Sequence, residues 1–210
     1  MEIAGFEVQS DEVMGNDGFL RIRRMRLRLV GKRGERTKEG VWDFVERPIG
    51  LDAVVLALHA KGPKVLLRAG VRVPVQFGRP HPPPRIVFPE LVAGIVERGE
   101  EREEALRKRA AAEALEEAGL TVPPAAFVRL GPPTFPTPGM CAEMFHFFAA
   151  GIEDPEDAQP PAGDGSPFEE GAQLEWVGLD EALARCGRGE IQDLKTELGL
   201  RRLREHLSPR

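Results

Sequence analysis

Three carboxylates, Glu113, Glu116 and Glu117, fall within five positions of the alanine-rich stretch RAAAEALEEAGL, Arg109 to Leu120. On an α-helix, residues three and four apart lie on one side. These glutamates therefore share a face about 100° wide, with Ala111, Leu115 and Ala118 pointing the other way. Neighbouring carboxylates repel one another unless a cation sits among them. Hard oxygen ligands of this kind suit Mg²⁺ or Mn²⁺, which keep several waters and are commonly shared with substrate phosphates. The competing reading is a solvated acidic face, with Arg109 placed one turn before Glu113.

The segment around them, EEREEALRKRAAAEALEEAG, has helical composition. Its Glu-rich first turn suits the helix dipole, Gly119 suits the C′ position, and Pro123 prevents continuation. Upstream, DAVVLALHA (Asp52 to Ala60) and KVLLRAGVRVP (Lys64 to Pro74) read as two apolar strands joined by a turn at Lys61-Gly62-Pro63. FGRPHPPPR (Phe77 to Arg85) is too proline-rich for a central strand or helix and reads as a surface loop, more readily a plain insertion than a recognition element. RIVFPELVAGIV returns to strand. Downstream, AAFVRL, EMFHFFAAGI and AQLEWVGL are strand candidates, and GPPTFPTPGM is a turn-rich loop. DEALARCGRG reads as a short helix and DLKTELGLRRLREHL as an amphipathic one. EDPEDAQPPAGDGSPFEEG is polar and rich in proline and glycine, a loop composition. The first 45 residues read as strands, with FLRIRRMRLRLV (Phe19 to Val30) and VWDFVER flanking a glycine turn.

Composition sets bounds. At 210 residues, 41% apolar and 30% charged, the chain suits one soluble globular domain with a small appendage. The net charge of −5 weighs against nucleic acid as a partner. Five arginines between Arg21 and Arg28 raise that reading, but no aromatic platform interleaves them; the solvated face of an antiparallel ribbon explains them better. Cys141 and Cys186 form no Cys-x-x-Cys pair and are too few for a disulfide framework. No run of about 18 apolar residues would span a membrane, and the acidic N-terminus does not read as a signal peptide. A reducing cytoplasm is the expected location.

The spacing ELVAGIVERGE…AEALEEAGL resembles the Nudix hydrolase signature, a Gly-x5-Glu loop followed by a helix ending Arg-Glu-apolar-x-Glu-Glu-x-Gly-apolar. Gly94-x5-Glu100 matches the loop, and Glu113 to Leu120 match the helix end. Two departures stand out. The gap from Glu100 to Glu113 is about one helical turn longer than in the family. Ala112 also occupies the place of the arginine that orients the acids, while Arg109 lies on the same face one turn earlier. Further likenesses run over roughly residues 45 to 200. VLLRAGVRVP, TPGMCAE (Thr137 to Glu143) and LEWVGLDEAL…GEIQDLKT are similar to segments of the ADP-ribose and nucleotide-sugar pyrophosphatases of that family.

The resemblance implies an α/β Nudix fold, a mixed sheet between helices, spanning 46–210, with an antiparallel β-ribbon at 1–45 that pairs two copies into a homodimer. It implies Mg²⁺, or Mn²⁺, held by Glu113, Glu116, Glu117 and the Ala93 carbonyl. It implies a general base on the acidic loop before the last strand, Glu169 or Glu170, and substrate contacts from Arg47, Arg72, Pro138, Gly139 and Glu143. The expected reaction splits the diphosphate of ADP-ribose or a related nucleoside diphosphate sugar into a nucleoside monophosphate and a sugar phosphate. Two alternatives stay open: a module that binds such a nucleotide with little catalysis, consistent with Ala112, and a hydrolase for a dinucleoside polyphosphate or CoA.

Overall fold

A computed structural model describes residues 1–15, 18–161, 163 and 172–208. The chain divides into two compact units, residues 1–51 with 137–143, and residues 52–136 with 144–210.

In the first unit, β1 (Ile3–Met14), β2 (Arg21–Gly31) and β3 (Gly40–Glu46) form an antiparallel sheet in the order β1-β2-β3. The β2 arginines pair across strands. Arg21 and Arg23 meet Glu46 at 2.8 and 2.9 Å, Arg24 meets Asp43 at 2.7 Å, and Arg23 also meets Asp11. The arginine run is thus a set of cross-strand ion pairs, the arrangement that stabilises ribbons. Segment 137–143 lies along β3, where the Val45 amide donates to the Met140 carbonyl at 2.9 Å.

The second unit carries a mixed sheet of β4 (Ala53–Ala60), β5 (Lys64–Val71), β6 (Val87–Glu90), β7 (Val92–Ile95), β8 (Val128–Arg129), β9 (Phe145–Ile152) and β10 (Gln173–Gly178). The main order is β10-β5-β4-β9-β8, with β6 on β5 and β7 on β4. β4 and β9 run parallel; the other pairs are antiparallel. β4 is buried on both faces, which explains its unbroken apolar run. Val54, Leu56 and Leu58 join the core under α2 (Glu103–Ala118), whereas Val55 and Ala57 join the core under α3 (Leu179–Gly187) and α4 (Leu194–Leu207). The expected helix–sheet–helix layering is present, and no helix among the described residues is long and apolar enough to cross a membrane.

Several expectations are corrected. The second apolar strand stops at Val71, because Pro74 sits at the start of a short helix, α1 (Val73–Phe77), where its missing N–H does no harm. The strand expected over 85–96 is two strands that switch partners at Leu91. AAFVRL yields a 3-10 turn (Pro124–Ala126) and a two-residue strand. On α2, the buried line is Leu106, Ala110, Ala114 and Ala118, while Leu115 is 47% exposed. The small side chains let the helix lie close on the sheet, which turns the Glu113 face inward rather than outward.

Candidate active site

The helix end and β7 meet through glycine. A Cβ added at Gly94 would lie 1.7 Å from Glu113 Cδ, so the buried Glu113 carboxyl occupies the space that any other residue's side chain would fill. One turn on, Glu117 accepts from the Ala93 amide at 3.2 Å through Oε2, and its Oε1 lies 3.3 Å from Arg68 Nη1. Glu113, Glu117 and the Ala93 backbone are therefore brought to one place. Glu116 is half-buried on the same helix, and its carbonyl accepts from the Gly163 amide at 2.9 Å.

Arg109 supports this arrangement from the preceding turn. It grips Glu100 with two hydrogen bonds of 3.0 Å, meets Glu97 at 3.1 Å and stands 4.0 Å from Glu113 Oε1. Glu100 also accepts from the Glu97 amide at 3.0 Å. Burial opposes ionisation of Glu100, but the Arg109 guanidinium and the Glu97 amide together outweigh it and hold the carboxyl below its ordinary range.

Beside Glu117 opens a recess lined by Arg68, Gly70, Arg72, Glu90, Leu91, Ala93 and Glu117. Arg72 Nε and Nη2 donate to the two Glu90 oxygens at 2.7 and 2.6 Å. Glu90 is 5% exposed. Burial alone would raise its pKa, yet the Arg72 hydrogen bonds and the nearby Lys195 ammonium hold it low. The same bonds hold the Arg72 guanidinium protonated. This fork leaves Arg72 Nη1 directed away from Glu90, on a side chain that is 51% exposed.

Helix α4 fixes the floor. Asp193 caps it by accepting from the Thr196 amide at 3.0 Å, and Lys195 bridges Asp193 and Glu90. The Thr196 hydroxyl accepts from the Leu91 amide at 2.9 Å. A Cβ at Gly199 would meet Leu91 Cδ1 at 2.5 Å, so this glycine lets α4 press on the β6–β7 junction.

Among the described residues, no three His, Cys, Asp or Glu side chains form a group arranged to hold a metal ion. The two carboxylates, Glu113 in the Gly94 cradle and Glu117 one turn on, are hard oxygen donors of the kind Mg²⁺ and Mn²⁺ take, and by chemical type they fit such an ion. Arg47 and Glu143 belong to the first unit, where Arg47 Nη2 donates to Glu143 at 2.6 Å and to the Leu51 carbonyl at 2.6 Å. Pro138 and Gly139 lie in the same unit's turn, with Trp42 Nε1 donating to the Gly139 carbonyl at 3.3 Å. Glu169 and Glu170 lie outside the described residues. Arg68 and Glu90 were not singled out from the sequence. Glu90 opens the ELVAG run that leads into Gly94, which was the available signal; Arg68 looks like any strand arginine.

A family model described as NUDIX domain matches residues 51–198, well over half of the chain. A solved structure described as an ADP compounds hydrolase superposes with a TM-score of 0.68, over 99% of this chain and 96% of that one, at 14% identity. That likeness speaks to the fold. No curated protein matches.

Proposed function

The chain belongs to the Nudix hydrolase family, and we propose that it is a Mg²⁺-dependent pyrophosphatase acting on ADP-ribose or a related nucleoside diphosphate sugar. The products are a nucleoside monophosphate and a sugar phosphate. The observation that carries this reading is the Glu113 carboxyl seated in the Gly94 cradle, with Glu117 accepting from the amide of Ala93, the preceding residue of the same strand.

Glu113, Glu117 and the Ala93 carbonyl would hold the ion, with Glu116 as a further ligand or a support to them. When bound, the cation neutralises diphosphate charge and lowers the pKa of the attacking water. The rest falls to the protein. Arg72, locked by Glu90, presents Nη1 to a phosphate oxygen without rotating, so little orientation entropy is lost on binding. Arg68 adds a second cation on the same wall. Water forms a new bond to one phosphorus, the bridging P–O bond breaks, and the water proton passes to Glu169 or Glu170. Arg47 and Glu143, with Pro138 and Gly139, are assigned to the sugar or ribose.

The first unit has a role of its own in this reading, pairing two copies. Phe6 is 68% exposed, Val8 50%, Val41 50% and Trp42 56%, apolar surface that favours a partner of the same kind.

The test is chromatography of monophosphate release from ADP-ribose, ADP-glucose, UDP-glucose, GDP-mannose and dinucleotides, with Mg²⁺ and then Mn²⁺. Release from ADP-ribose or a nucleotide sugar supports the proposal. Release from dinucleotides alone reassigns the substrate, and release from none, with nucleotide binding retained, makes the protein a binding module.

A further inference from the structure

The proline-rich segment after α1 is anchored rather than loose. Gln76 Nε2 donates to the carbonyls of Pro83 and Arg85 at 3.3 and 2.6 Å. Arg85 donates to the carbonyls of Gly189, at 3.2 Å, and Glu190, and to Gln192 Oε1, and its guanidinium lies 5.0 Å from the centre of the Phe88 ring. Prolines at 80, 82, 83 and 84 fix φ in between. The segment therefore keeps a fixed surface, and that surface walls a groove of about 640 Å³.

Pro74, Val75, Pro83 and Phe88 supply the groove's apolar lining. The groove shares Arg72 and Glu90 with the recess that holds Glu117, so the two adjoin at that ion pair. Its acids already have cations: Glu90 meets Arg72 and Lys195, and Asp193 meets Lys195. Its rim side chains differ. Arg79 and His81 are exposed, and neither pairs with a carboxylate among the described residues. A groove of this size suits a nucleoside-sized group, since ligand sites run to about 300–1,000 Å³. Apolar walls suit a flat heterocycle, and at the rim the Arg79 guanidinium, with the His81 ring as a further hydrogen-bonding group, suits an anion beyond the diphosphate.

We propose that this groove receives the nucleoside half of the substrate and selects a ribose carrying a phosphate monoester, held by Arg79 and His81. The inference rests on the diphosphate lying at Arg72, as in the reading above. It adds a preference to that reading: ADP-ribose and nucleotide sugars remain substrates, and derivatives whose nucleoside is phosphorylated at the 2′ or 3′ hydroxyl bind more tightly.

Calorimetry with adenosine 2′,5′-bisphosphate, adenosine 3′,5′-bisphosphate and AMP isolates the extra phosphate, because none of the three contains a diphosphate bond. One bisphosphate should bind on the order of tenfold more tightly than AMP, the scale of one hydrogen bond between charged groups; which isomer wins identifies the hydroxyl. The R79A/H81A double variant should lose that advantage and keep the AMP affinity, whereas R79K should retain most of it. Single R79A and H81A variants, both surface changes, read the same loss in part if the double variant does not fold. Equal affinities for AMP and both bisphosphates, no binding of any of the three, or an advantage that survives in a folded R79A/H81A variant would each overturn the proposal. These ligands are not cleaved, so failure of the subsite is read separately from failure of the pyrophosphatase activity.

Discussion

Gly94→Ala is the sharpest perturbation of the site. Gly94 pairs with Val54 in the sheet, and an added Cβ would lie 1.7 Å from Glu113 Cδ and 1.8 Å from its Oε1. Carbon atoms settle about 3.5–4 Å apart, so the carboxyl must retreat by roughly 2 Å. Helix α2 cannot yield as a body, because Ala110, Ala114 and Ala118 are fully buried against the sheet. The Glu113 side chain moves instead. A displacement of about 1 Å at a catalytic group costs on the order of a hundredfold, so kcat at saturating Mg²⁺ should fall by at least that much. Overpacking of this kind costs about 1–3 kcal/mol, so the variant remains folded with a lowered Tm. The assay is monophosphate release beside a Mn²⁺ titration followed by electron paramagnetic resonance. Unchanged kcat and unchanged Mn²⁺ affinity in a folded G94A protein would refute the cradle as the feature that aims Glu113.

Other perturbations follow the same contacts. Arg109→Ala removes the fork on Glu100 and the cation 4.0 Å from Glu113; Mn²⁺ affinity should drop about 10- to 100-fold, as for partners that orient metal ligands, with Arg109→Lys intermediate, and an unchanged titration would show that Arg109 does not take the part of the arginine missing at Ala112. Glu90 titrates below its ordinary value in the folded state, so the stability it contributes is complete above the unfolded pKa of about 4.3 and is lost as pH falls through the lower folded pKa. Tm measured from pH 6 downward should therefore fall more steeply below pH of about 4 in the wild type than in Glu90→Gln, and parallel curves would contradict this. Gly119→Ala forces a side chain onto φ 66° and against the Gln159 carbonyl at 1.7 Å; thermal melting should show a loss of about 1–3 kcal/mol, and no loss would contradict the close approach. Phe6→Glu should shift light scattering from dimer to monomer, and a monomeric wild type would contradict pairing through the ribbon.

Much of the site was legible because its residues lie close in the chain. Glu113, Glu116 and Glu117 lie on one helix, so their spacing points to a carboxylate face, whereas Gly94 and Glu100 were brought in by the resemblance and the Gly94 cradle is visible only in the structure. Arg72 was expected at the substrate, but its ladder with Glu90 and Lys195 was not legible, because it joins the start of α1, β6 and α4 across more than a hundred positions. The inward turn of the Glu113 face was not legible for a related reason. Helical periodicity shows which residues share a side, but Gly94, not the helix, decides that a carboxylate fits against the sheet. The segment at 77–85 reads as an insertion by composition, and its function as a wall depends on Gln76 and Arg85, whose partners no local pattern reveals.

Divalent-metal cleavage carried by Glu113 and Glu117 is tested most directly by ADP-ribose turnover in the wild type, Glu113→Gln and Glu117→Gln across a Mg²⁺ titration from a chelated start. The expected result is no release without metal, saturable release with it, and a loss of about a hundredfold or more in each variant, since a bound cation supplies several kcal/mol of transition-state stabilisation. Turnover that persists in chelator, or that survives in a folded Glu117→Gln protein, would contradict it.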